Sequence, residues 1–341
     1  MLSRVADSIY WMSRYIERAE NVARFVDVTL TLILDMPLDT LQQWQPLVDT
    51  TGDSAEFARR YGRATQPRVV HFLTFDPENP SSILSCLRAA RENARSVREI
   101  ISSEMWEQIN EFYLMVSAAA TDPRSLATPH SVFSSVKLSS HLFSGVTDAT
   151  MTHNEGWHFA RLGRALERAD KTSRILDVKY FMLLPRIEDV GTTYDDIQWA
   201  AVLKSASAFE MYRKRHGRLS PQRIVEFLLL DREFPRAIHM CLLQARSSVH
   251  AISGTPAGMF RLPVEQVLGE VCSALAYANA DEIVAAGLHE YLDQLQGRMN
   301  VVGSGIHETF FARHLMEPPV PQKQKPDRRR ASRRSTERPV A

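Results

Sequence analysis

The sequence predicts an all-α fold: an internally duplicated helical bundle with a pseudo-twofold relation between its two copies. Three observations carry that expectation. Residues 3–36 place apolar side chains at helical spacing with charges opposite them, and much of the pattern returns 150 positions later. The 14 glycines in 341 residues and the scarcity of alternating Val/Ile/Thr runs leave little material for sheet.

A first helix begins near Ser3 and runs to Met36, where Pro37 stops it. Trp11, Met12, Tyr15, Ile16, Ala19, Val22, Ala23, Phe25 and Val26 share one broad face. Arg14, Glu17, Glu20, Asn21, Arg24 and Asp27 occupy the other, with Arg18 at the border. A second such helix runs from about Gly156 to Leu184, before Pro185. Arg14, Glu17, Arg18, Arg24 and Asp27 recur in it as Arg164, Glu167, Arg168, Arg174 and Asp177, and Glu20 becomes Asp170.

The repetition continues with a shift of 155, which pairs Gln43-Trp44 with Gln198-Trp199 and Gly62 with Gly217. It also pairs Asp76, Pro80 and Cys86 with Asp231, Pro235 and Cys241, and Ala90-Arg91 with Ala245-Arg246. The apolar segments 69–76 and 224–231 are read as helix followed by a turn at Asp76 or Asp231, not as strands. One long helix is expected from Ser81 to Val116, whereas its counterpart from Arg236 is interrupted at Ser253-Gly254-Thr255-Pro256. Residues 121–130 read as loop, and further helices are expected over Val132–Phe143, Val264–Ala278 and Asp281–Met299. The expected body is residues 1–316, with copy one at about 1–150 and copy two at 151–316. Residues 317–341, rich in Pro, Lys, Arg and Ser, form a basic tail too poor in apolar residues to order itself.

A net charge of +1 gives no overall nucleic-acid footprint, although the tail's arginines suit weak attraction to acidic surfaces. Cys86, Cys241 and Cys272 make no disulfide framework. The most apolar run, Val26 to Met36, is too short and too polar to span a bilayer, so a cytoplasmic protein with no membrane contact is expected. No cofactor motif is present, and no metal site is expected. Glu155 and His158 have the spacing that di-iron bundles use, but no second such pair completes the set.

The candidate binding residues are the repeated charges Arg14, Glu17, Arg18, Glu20, Arg24, Arg164, Glu167, Arg168, Asp170 and Arg174. Three arrangements fit them. They form a solvated face laced with ion pairs, an interhelical network joining Glu17 to Arg168 or Arg164 and Glu167 to Arg18 or Arg14, or a cleft that clamps a carboxylate or phosphate. Arg91, Glu92, Asn93, Arg95 and Arg246 form either an ordinary solvated face or a second wall of that cleft.

The stretch Tyr10-Trp11-Met12-Ser13-Arg14-Tyr15-Ile16-Glu17-Arg18-Ala19-Glu20-Asn21 resembles the signature of the bacterial Alpha-E domain family, named for an all-helical fold and a Glu-Arg motif. Residues 90–95, 104–107 and 155–157, the last leading to 166–170, resemble it as well, and the likeness covers about residues 1–316. His153 departs from the arginine usual in the family's second motif. The resemblance implies a protein encoded beside, or fused to, a circularly permuted ATP-grasp protein, with a transglutaminase-like protein as a possible further partner. The function expected from it is a non-catalytic partner or scaffold in ATP-dependent peptide or amide formation. The alternatives are an enzyme of the same pathway, with Glu17 or Glu167 as general base and the arginines as anion clamps, and a structural homo-oligomer.

Overall fold

Two long helices lying side by side and running the same way organise the chain. The computed structural model describes residues 1–34, 44–182 and 193–312. The expected helix ends at Met36 and Leu184, together with Gln43 and the tail, lie outside the described residues. All regular structure among the described residues is helical. The first long helix, α1 (Ser3–Leu34), is followed by the short α2 (Gln45–Thr51), α3 (Ser54–Tyr61) and α4 (Gln66–Thr74). Longer helices then close the first half: α5 (Ile83–Ser96), α6 (Ser103–Thr121), the one-turn α7 (Pro123–Ala127) and α8 (Pro129–Thr150). The second half opens with the other long helix, α9 (Glu155–Met182), then α10 (Thr193–Ser205), α11 (Phe209–His216) and α12 (Pro221–Val225), which widens into a π-helical turn over Glu226–Leu230. It ends with α13 (Ile238–Ser253), α14 (Pro263–Ala276), α15 (Ala280–Ala286) and α16 (Leu288–Ile306), the last widening into a π-helical turn over His307–Phe311.

The layers form around α1 and α9. Helix α1 packs on α9, α5, α8 and α10; helix α9 packs on α1, α13, α16 and α2. Their apolar stripes meet the flanking helices through fully buried Ile9, Met12, Phe72, Ile83 and Leu87 on one side and Phe159, Leu162, Ile238 and Leu242 on the other. The segments 69–76 and 224–231 are helical with a turn behind them, as the sequence predicts. In each turn an aspartate side chain, Asp76 or Asp231, accepts the backbone N–H two residues on, at 3.0 and 2.8 Å.

Four expected segments are corrected. The single helix expected over Ser81–Val116 is two helices, broken at residues 97–102. The hydroxyl of Ser102 caps α6 by accepting from the Met105 N–H at 3.1 Å, while buried Val97 and Ile101 carry the apolar pattern through the corner. Residues 121–130 hold α7 and the start of α8 rather than loop, and the hydroxyl-rich helix expected from Val132 to Phe143 extends over Pro129–Thr150. The helix expected over Asp281–Met299 divides at Gly287, whose φ of 120° is open to glycine and strained for other residues. The expected interruption at Ser253–Pro256 is present, with Gly254 at φ 70°.

The two long helices approach closely at Gly163, where a Cβ would fall 2.3 Å from the carbonyl oxygen of Tyr10. Gly163→Ala is therefore expected to force α1 and α9 apart and destabilise the protein by about 1–3 kcal/mol. Thermal melting measures this, with Gly145→Ala, where added carbon meets nothing within 4 Å, as the comparison.

Candidate functional site

The charged stripe of α1 faces protein, not water. Side chains pair in ascending order along the two helices (Tyr10 with Gly163, Arg14 with Glu167, Glu17 with Arg168), which makes α1 and α9 parallel. At the crossing the Glu-Arg dipeptide of each helix grips that of the other. Arg168 donates through Nε and Nη2 to the two carboxylate oxygens of Glu17 at 2.9 and 2.7 Å. Arg18 donates in the same forked manner to Glu167 at 2.6 and 3.1 Å, and Arg14 adds an Nε bond at 2.8 Å. Glu17 is 2% exposed and Glu167 is fully buried, so the solvated-face reading is overturned. Sequence spacing alone could not separate these cases, because two charged stripes pressed together look like two charged stripes in water.

Arg236 completes the cluster and was not anticipated. It donates to Glu17 at 3.0 Å and to the Asn21 side-chain oxygen at 3.1 Å, and it pairs with Glu20. Glu20 also accepts from Arg24 Nε at 2.8 Å and from Ser140 at 2.6 Å, and His141 Nε2 lies 3.3 Å from it. The corresponding Asp170 is held by Arg174 at 3.0 Å and Lys171 at 3.1 Å. Further along, Asp27 pairs with His130 and with Lys137 at 2.7 Å, and Asp177 pairs with His289 at 2.8 Å. The signal for Arg236 lay where the two halves of the sequence, aligned with shifts of 155 and 150, differ: Arg236 stands opposite Ser81, and Lys171 opposite Asn21.

Not every predicted pair forms. Arg164, the counterpart of Arg14, does not reach Glu17; its nearest carboxylate oxygen belongs to Asp148, at 3.9 Å. The second wall does not join the cluster either. Arg91 donates to Asn110 at 2.7 Å and lies over Trp106 and Tyr113, Glu92 pairs with Arg95 at 2.6 Å, and Asn93 donates to the Ala89 carbonyl at 3.0 Å. Arg246 lines a separate groove between α13 and α14, beside the exposed Met259 and Phe260.

Burial pushes each buried carboxyl group up, and its guanidinium neighbours more than reverse that. Glu17 is held below its ordinary value by Arg168 and Arg236, and Glu167 by Arg18, Arg14 and Lys171. Glu20 is held well below it, chiefly by Arg236, His141 and Arg24. A general base working near neutrality needs the opposite shift. The base role considered for Glu17 or Glu167 is therefore not one this geometry equips them for. Cys86 and Cys241 are buried, with thiols pushed up to about 12 by burial, which makes them packing residues. Glu155 binds the N-terminal amine at 2.8 Å, and His153 stacks on Trp157 with 4.2 Å between ring centroids. Among the described residues no three His, Cys, Asp or Glu side chains are grouped to hold a metal ion. No helix among them is long and apolar enough to cross a membrane.

Glu17→Gln leaves Arg168 and Arg236 short of a buried counter-charge and is expected to cost about 3–5 kcal/mol by thermal or denaturant unfolding. Glu92→Gln, in an exposed pair, should change stability by less than about 1 kcal/mol. Reversing the pair, Glu17→Arg with Arg168→Glu, should recover only part of the loss, because Arg236 would then face a second guanidinium.

The pH dependence has a definite sign. Folded values below the unfolded carboxyl value of about 4.3 mean that the cluster's stabilisation is fully present above about pH 5 and drains away as pH falls through the lowered folded values. The melting temperature should drop steeply below about pH 4.5, and less steeply in Arg18→Met, where Glu167 has lost one of its cations.

The Alpha-E family model, described as "a predicted alpha-helical domain with a conserved ER motif", matches residues 1–311. Two uncharacterized proteins, one from Mycobacterium bovis and one from Mycobacterium tuberculosis, are each 27% identical to the chain over 326 residues. The match takes in 90% of this chain and 35% of each relative, so the chain spans about a third of the length of the curated relatives it matches. No solved structure matches the chain. The chain carries two Glu-Arg dipeptides, Glu17-Arg18 and Glu167-Arg168, that clasp at the α1–α9 crossing, and it belongs to the Alpha-E family.

Proposed function

We propose that this protein is a non-catalytic scaffold for a circularly permuted ATP-grasp partner in a peptide- or amide-forming system. In this reading the Glu-Arg motif is the internal joint that holds the scaffold's shape. The observation that carries it is the reciprocal pairing of Glu17 with Arg168 and Glu167 with Arg18, which commits the motif's charges to each other inside the body. A transglutaminase-like protein is a further candidate partner. The relatives' much greater length fits a domain that works joined to, or alongside, other domains.

The same proposal takes residues 1–316 as one body of two copies about a pseudo-twofold axis, with residues 317–341 as an appended tail. Its supports are the matching order of elements in the two halves and the matching neighbours of α1 and α9. The parallel contacts of Cys86 with the Pro80 carbonyl and of Cys241 with the Pro235 carbonyl agree with it.

With the motif interior, partner contact falls to outward apolar residues. Leu138 and Leu142 stand one turn apart on α8, 68% and 54% exposed. Affinity-tagged protein should retain an ATP-grasp protein from the same genome through size-exclusion chromatography, and Leu138→Lys with Leu142→Lys should weaken that capture about tenfold or more while leaving melting unchanged. Absence of any complex between the two purified proteins would sink the partner reading.

A further inference from the structure

The α1–α9 pair has two flanks, one covered by α16 and the other by α8, and they differ at the arginine each contains. On the α16 flank Arg14 is fully engaged. It donates to Glu167 at 2.8 Å and to the Tyr10 hydroxyl at 3.0 Å, and its guanidinium lies 5.0 Å from the centre of the Trp11 ring. A groove of about 450 Å³ opens beside it, but Arg14 already has its counter-charge. On the α8 flank the residues matching Tyr10 and Trp11 are Ala160 and Arg161. Loss of the two rings leaves a pocket of about 20 Å³ between α1, α8 and α9, lined by Ser13, Ser144, Thr147, Ala160, Arg161 and Arg164 among others.

We infer that this pocket is an oxyanion-binding site, with Arg161 and Arg164 receiving a carboxylate or phosphate group. Arg164 is 22% exposed, and among the described residues it donates no hydrogen bond. The Asp148 oxygen at 3.9 Å is beyond hydrogen-bonding range, half exposed, and already accepts the Trp157 indole N–H at 3.1 Å. Glu17 also lines the pocket, but Arg168 and Arg236 occupy its oxygens at 2.7–3.0 Å. Arg161 lies over the Trp157 ring, 5.5 Å from its centroid, with no carboxylate within 4 Å.

Two guanidinium groups are thus drawn partly out of water with their planar donor edges unmatched, an arrangement that favours an incoming oxyanion. Burial lowers the proton affinity of both groups by more than the attraction of Asp148 raises it. The pocket's size admits little more than one small polar group, so recognition is of an anionic tip and not of a whole cofactor. Carboxylate and phosphate share the chemistry, and the experiment separates them. The inference does not depend on the ATP-grasp reading, because the isolated chain would bind.

The test is thermal melting and isothermal titration with sodium phosphate and sodium acetate, each against sodium chloride at equal ionic strength. A saturable rise in melting temperature with at least one of the two supports the site; acetate alone points to carboxylate ligands and phosphate alone to phosphorylated ones. Arg164→Gln should weaken binding about tenfold or more. Ala160→Tyr, which places in the pocket the ring present on the other flank, should block binding; because Ala160 is buried, thermal melting first establishes that the variant is folded. Arg161→Gln serves as the second charge variant, and Arg246→Gln, in another groove, should bind as wild type. No saturable rise above chloride in the wild-type protein, or unchanged binding in folded Arg164→Gln and Ala160→Tyr, overturns the inference.

Discussion

The structure depends on two carboxylates that have left water only because each is met by a guanidinium from the opposite helix. Burying either partner of such a pair alone would be prohibitive, and even a complete pair gives back little more than its desolvation cost. Its contribution is one of position. With forked hydrogen bonds of 2.6–3.1 Å in both directions, α1 and α9 are defined in register and in direction. A slip of one helical turn, about 5.4 Å, would part both pairs at once. Apolar contacts supply most of the adhesion, since they are tolerant of small shifts; the charges are not.

Around that clasp the two halves keep charge matched by different means. In the first half Asn21 stands where the second has Lys171, and a cation comes instead from the second half of the chain as Arg236, which binds Glu17, Glu20 and Asn21 together. In the second half Lys171 lies 3.8 Å from Glu167 and 3.1 Å from Asp170, and the position matching Arg236 is Ser81. Each glutamate therefore retains more than one cation while the sequences around them differ. The buried carboxylates constrain total local charge more tightly than they constrain which residue supplies it.

This division separates structure from interaction. The inner arginines are committed to glutamates, whose carboxyl groups are thereby fitted poorly to proton transfer. What remains available lies at the edges: Arg161 and Arg164 in their pocket, Arg246 in its groove, and exposed leucines on α8. On the α8 flank Ala160 and Arg161 stand where the other flank has Tyr10 and Trp11, and Arg164 there makes no hydrogen bond to a carboxylate.

The sequence by itself determined the helical class, the two long helices, the turns at Asp76 and Asp231 and the repeated Glu-Arg dipeptides, because periodicity and recurrence are local properties of the chain. It offered Arg168 or Arg164 for Glu17, and Arg18 or Arg14 for Glu167, as one of three arrangements of these charges. It misplaced the corner at residues 97–102, since buried Val97 and Ile101 keep the apolar rhythm running through a turn. Only the tertiary structure decided that the charged stripes face each other and not solvent, that Arg236 reaches across to Glu17, and that Arg164 has no carboxylate nearer than Asp148, at 3.9 Å. The reason is physical: a stripe of alternating charges has the same pattern on a wet surface and in a buried joint, and which one it becomes depends on what the rest of the chain lays against it.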